Sequence, residues 1–261
     1  MLVKLSLSAG LVLSISCQCC GAMLLSWNTF GNAGTESSEP SVTNFANIAP
    51  ADLTRGAGIS NSGNENRFGG SSWFDTGNTI AGSTVAEAVA GNHYLEFIVI
   101  PTGGATFSAT SFNFMWDRSG TGPSAVTLRS SLDAFTADLG SVTGLVSSVT
   151  NNTIAITGVT DVAIATSFRL YGFGATSGAG TGGFDTTTNS ANVIFNGTVT
   201  AVPEPSSLAL LVAAAAAGGA IRQFRRHAKS KLLSSQKAWP GRNRPIEESC
   251  CESEPIRTGM D

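Results

Sequence analysis

"SFNFMWDRSGTGPSAVTLRSS", residues 111–131, decides how the chain folds. Phe112, Phe114 and Trp116 alternate with Asn113, Met115 and Asp117. A period of two places the three aromatics on one face of a strand and Asn113, Met115 and Asp117 on the other. Asp117 and Arg118 then open a tight turn containing Gly120, Gly122 and Pro123. Beyond it Val126 and Leu128 face one way and Thr127 and Arg129 the other. The same style extends outward in both directions. In "HYLEFIVIP" (93–101) Leu95, Phe97 and Val99 oppose Tyr94, Glu96 and Ile98, and "NTIAITG" (152–158), "SFRLYGFG" (167–174) and "ANVIFNGTVT" (191–200) follow suit. The last of these carries Asn196-Gly197, a hairpin-turn signal. The one helical candidate, around Thr84 to Val89, is too short to carry weight. Many short strands punctuated by turn residues predict an all-β ectodomain over residues 23–201, an antiparallel β-sandwich or jelly-roll-like fold.

Charge divides the chain. Residues 23–201 hold seven Asp and five Glu against five Arg and no Lys, whereas residues 222–261 hold six Arg and three Lys against five acids. An acidic, lysine-free body argues against nucleic acid as a partner, because phosphate neutralisation needs clustered cations. The five cysteines are Cys17, Cys19, Cys20, Cys250 and Cys251, so the body has neither disulfide staples nor thiolate metal ligands.

The first 22 residues, "MLVKLSLSAGLVLSISCQCCGA", place Lys4 before an apolar run from Leu5 to Ile15 and small residues at the end. That order reads as a secretory signal peptide cut after Ala22. Near the other end, "AVPEPSSLALLVAAAAAGGAIRQFRRH" (201–227) combines two prolines that end any strand, an uncharged stretch at 206–221 and three arginines. Sixteen residues make a helix of roughly 24 Å, short against a hydrocarbon core of about 30 Å. Arginine stems that snorkel to the headgroups extend the span, and the positive-inside rule puts this end in the cytoplasm. The alternative is a buried alanine-rich helix.

Pro203-Glu204-Pro205, the apolar stretch and Arg222, Arg225 and Arg226 resemble the PEP-CTERM sorting signal of exported bacterial proteins. The resemblance covers residues 202–226 and implies an exosortase-type membrane protease as partner. Pro203, Glu204 and Pro205 would then be its recognition residues, and Arg222, Arg225 and Arg226 the stop-transfer anchor. It further implies an inner-membrane precursor, then delivery to the cell surface or an extracellular polysaccharide matrix. Family members end within a few residues of the arginines, whereas 35 residues follow Arg226 here and read as a disordered tail, 227–261. The body also looks like a domain often carried with this signal. The similar stretches are "SWNTFGNAGTESSEPS" (26–41), "NRFGGSSWFDTGNT" (66–79), "FNFMWDRSGTGPSAVTLRSS" (112–131) and "FRLYGFGA…GTGGFDTT" (168–187). That likeness suggests one domain and brings no catalytic assignment.

Chemistry is sparse in the body. His93 is its only histidine, so no His-based triad or His-rich metal site can form. "GAGTGG" (178–183) fits a nucleotide-loop pattern but does not open a helix, so it reads as a flexible glycine loop. No cofactor and no metal site is expected. Asp75, Asp117, Asp133, Asp138 and Asp185 sit near Gly, Asn or Ser in expected loops, where aspartate more often shapes turns and strand ends than performs catalysis. Trp116, Asp117 and Arg118 form the candidate glycan contact; the competing reading is a core tryptophan with an ion pair shaping the turn. The expected role is structural or adhesive and non-enzymatic. A carbohydrate-binding module for exopolysaccharide and a carboxylate-only glycoside hydrolase are the alternatives.

Overall fold

The computed structural model describes residues 21–74, 84–201 and the single residue 215. Thirteen strands appear among them: β1 (Ala22–Trp27), β2 (Glu39–Pro40), β3 (Thr43–Asn44), β4 (Asp52–Arg55), β5 (Arg67–Gly70), β6 (Tyr94–Val99), β7 (Thr106–Arg118), β8 (Ala125–Ser130), β9 (Gly140–Thr143), β10 (Thr150–Ala155), β11 (Thr166–Phe173), β12 (Gly182–Asp185) and β13 (Val193–Thr200). A short α-helix, α1 (Val85–Ala90), precedes β6, and a single 3-10 turn, Ser131–Asp133, follows β8.

The strands form two antiparallel sheets. One runs β3-β1-β13-β7-β12-β5 with β10 also paired to β7; the other runs β2-β4-β6-β11-β8-β9. The alternation in residues 111–131 holds. Phe112, Phe114 and Trp116 point into the core, as do Val126 and Leu128, but the turn between them carries the chain from one sheet to the other. Rings from the two inner faces meet there. Phe97 lies 5.3 Å from Phe112 and Phe168 lies 4.7 Å from Phe195, centroid to centroid. Burial of such side chains contributes about 1.5–3 kcal/mol each, so this aromatic seam is a substantial part of the core that joins the sheets.

Two local readings are corrected. Asn196-Gly197 is not a hairpin turn but lies inside β13. There the register with β7 jumps from Asn196↔Ser111 to Gly197↔Ala109, leaving Thr110 as the extra residue of a bulge. A bulge inverts the facing of the residues beyond it, which is why Phe107 and Ala109 point inward before it and Phe112 and Phe114 after it. Gly197 is needed at this point because a Cβ there would collide with the Ser108 carbonyl. The second correction is α1, which does form. Thr84 caps it in a complete capping box with Glu87, and Ala88 packs on Tyr94 and Tyr171 of the second sheet's outer face. Six residues alone would not hold a helix; the cap and the aromatic platform do.

β12 and β13 lie end to end on the same side of β7. Trp116 pairs with both β10 and β12, and Phe114 with both β10 and β13, so β12 and β13 must share the edge opposite β10. Residues 186–192 form an excursion between them. Asn192 closes it: its amide donates to Thr29 Oγ1 (3.0 Å) and the Asp185 carbonyl (3.1 Å), and its Oδ1 accepts from the Thr29 N–H (2.9 Å).

Among the described residues, no helix is long and apolar enough to cross a membrane. The expected transmembrane helix at 206–221 has no support from this structure, since it lies outside the described residues apart from Ala215, which is helical. The expected tail at 227–261 and the signal peptide, except its last two residues, also lie outside them. Ala22, the last residue of that signal, already pairs with Gly197 in β1.

Candidate functional site

β7 ends in the segment that the sequence singles out, and the fold separates its three residues. Trp116 is 0% exposed. Its ring lies against Trp73 at 5.8 Å, Phe184 at 5.6 Å and Phe114 at 6.1 Å. A sugar cannot stack on a face already covered by protein, so Trp116 drops out of the candidate glycan contact. Trp27 and Trp73 are equally buried.

Asp117 does not pair with its neighbour. It accepts from Arg67 of β5, whose Nε also donates to Asp185 of β12 at 2.9 Å. Arg67 thus binds two carboxylates at once across three strands. The side chains of Arg67, Asp185 and Asp117 are 8%, 10% and 21% exposed. Burial pushes the Asp185 carboxyl above its ordinary range, against the pull of Arg67. Arg118 instead turns back on the following loop and donates to the carbonyls of Gly120 (2.7 Å), Gly122 (3.2 Å) and Leu145 (3.3 Å). The turn is therefore shaped by one guanidinium on backbone oxygens rather than by an ion pair.

The register that assembles this triad explains the glycine cluster. Gly182 and Gly183 open β12 and face Gly70 and Gly69 of β5. A Cβ on Gly183 would lie 2.6 Å from both Gly69 Cα and the Phe68 carbonyl. The end of "GAGTGG" is thus not a flexible loop but part of a strand, glycine-rich so that two backbones can approach closely.

The other carboxylates are tied into the fold. Asp138 pairs with Arg129 (2.6 Å), and Asp133 accepts from the Ala137 N–H (2.7 Å) within a turn. Asp75 lies outside the described residues. His93 is buried in the turn before β6, between Gly58 and Gly91. Among the described residues no three His, Cys, Asp or Glu side chains gather where a metal ion could be held. On the second sheet, Arg169 bonds Glu96 at 3.0 Å and lies over the rings of Tyr94 and Phe135 at 4.3 and 4.0 Å.

A groove that sequence alone does not disclose lies on the outer face of the first sheet. It encloses about 260 Å³ and is lined by Asn113 and Met115 of β7, Asn151 and Thr153 of β10, Ile194 of β13 and Ala191 of the excursion. Alternation did place Asn113 and Met115 together on the outward face. Their neighbours on β10 and β13 are some 40 and 80 positions away along the chain, and pairing alone brings them in.

Pro203, Glu204, Pro205, Arg222, Arg225 and Arg226 lie outside the described residues. The family comparison covers them. No curated protein matches the chain. Residues 201–226 match the PEP-CTERM protein-sorting motif. The chain carries this motif directly after β13, the last strand among the described residues, and the motif implies export, membrane-associated sorting and processing by exosortase, a membrane protease.

Proposed function

We propose that the chain is a structural or adhesive component without enzymatic activity, displayed at the cell surface or in the extracellular matrix after sorting. The carrying observation is the junction between body and motif. β13 pairs on both sides, with β1 and with β7, and ends at Thr200, while the motif begins at Ala201. Cleavage near Pro203–Pro205 therefore removes no strand of the sandwich and releases a closed body. The non-enzymatic part of the reading rests on how charge is used. A two-carboxylate hydrolase needs a sugar ring between its acids, whereas the Arg67 guanidinium lies between Asp117 and Asp185.

The test is the intact mass and cell fraction of the protein made in its own host. A species ending near Pro205 in the surface or medium fraction is expected. A species retaining Asp261 in the inner membrane would overturn the reading.

A further inference from the structure

The groove beside β7 has the chemistry of a ligand site. Thr153, Asn113 and Ile194 stand in one row across three strands, and Asn151 and Met115 stand side by side in the next. With strands about 4.8 Å apart, the first row spans about 10 Å. Asn151 and Thr153 are exposed at its rim. Asn113 is half-buried, and its Oδ1 is shielded from solvent with no hydrogen-bond partner among the described residues. Folding seldom leaves such an acceptor unpaired, because desolvating it without compensation costs stability. An unpaired acceptor in a concave, polar-lined site is available to a ligand donor.

The lining selects the class of ligand. No residue that lines the groove is charged. A phosphate or uronate chain would find no cation there. A peptide adding itself as a strand would find the β7 backbone already paired on both sides. What the groove offers is amide donors and acceptors at Asn113 and Asn151, a hydroxyl at Thr153 and an apolar strip from Met115 to Ile194. Sugar hydroxyls match the first set and sugar C–H faces the second. Its volume lies below the roughly 300–1,000 Å³ of sites that enclose a whole drug-sized ligand, which suits a stretch of a longer chain lying across the sheet.

We infer that this groove binds a neutral polysaccharide, with Asn113 Oδ1 accepting a hydrogen bond from a ring hydroxyl. The inference deepens the adhesive reading above by giving it a site.

The experiment is an array of neutral oligosaccharides built from hexoses and N-acetylhexosamines, with alginate as the charged comparison. It is probed with the full chain purified from whichever host fraction holds it. Retention on neutral glycans is expected. Asn113→Ala should weaken it about tenfold, the scale of one lost hydrogen bond, without lowering Tm, because the acceptor it removes is unpaired. Thr153→Arg, at an exposed rim position, should abolish retention, and Thr143→Arg on the other sheet should leave it unchanged. No retention on any neutral glycan, preference for alginate, or retention that survives both groove variants would overturn the inference. The array reads the groove wherever the cell places the protein, so failure here is separable from failure of the sorting reading.

Discussion

Replacing Arg67 with Met gives the sharpest test of the ion triad. The substitution keeps an aliphatic stem and removes the charge that holds Asp117 and Asp185 together across β5, β7 and β12. Removing one partner of a buried ion pair costs about 3–5 kcal/mol because it strands the other charge. Asp117 is 21% exposed and retains some hydration, so the lower end applies, about 3 kcal/mol. That is a large part of a typical 5–15 kcal/mol total, and for a body of this size it lowers Tm by about 6–12 °C. Urea unfolding followed by the emission of buried Trp27, Trp73 and Trp116 would measure it. The deficit should also depend on pH. The folded-state pKa of Asp185 is already raised above 3.8 by burial, and loss of Arg67 raises it further. Stability carried by such a group is fully present below the unfolded value and lost as pH rises through the folded value. The variant should therefore approach wild type near pH 4 and fall furthest behind at pH 7. Arg67→Met/Asp117→Asn/Asp185→Asn should recover at least half of the loss, since no charge is then stranded. A single variant within about 0.5 kcal/mol of wild type at pH 7, or a triple variant no more stable than the single, would refute this account.

Two further outcomes can be checked with the same unfolding assay. Gly183→Ala should destabilise by about 1–3 kcal/mol through overpacking, because its Cβ would meet the Gly69 and Phe68 backbone, which cannot swing aside; an unchanged midpoint would mean β5 and β12 are less closely apposed. Glu39→Gln should stabilise the protein at pH 7 and flatten its pH profile. Burial, with Glu36 and Asp52 adding to it, pushes the Glu39 carboxyl above 4.5 although Asn32 bonds it, so the wild-type contribution is present below 4.5 and lost as pH rises through the folded value. A stability profile from pH 4 to 7 unaltered by the substitution would contradict that.

The sorting address was legible in the residues themselves because it is a linear signal. Pro-Glu-Pro, an uncharged run and an arginine cluster are read in order along the chain and need no partner strand. Sheet architecture was legible for the same reason: alternation in β6, β7, β8 and β11 is a property of consecutive residues and fixes which side chains point inward. Tertiary structure alone decided the rest, because each remaining feature depends on pairing between distant segments. Asn196-Gly197 carries the same letters in a hairpin and in a bulge; only its register against Ala109 and Ser111 makes it the latter. Asp117 sits next to Arg118 in sequence, yet a strand directs successive side chains to opposite faces, so its partner became Arg67, fifty positions earlier. Trp116 looked like a platform for sugar and became core, while the outward-facing residues that alternate with it, Asn113 and Met115, gained a groove from β10 and β13. Local sequence sets which face a residue occupies, and strand pairing sets what stands beside it.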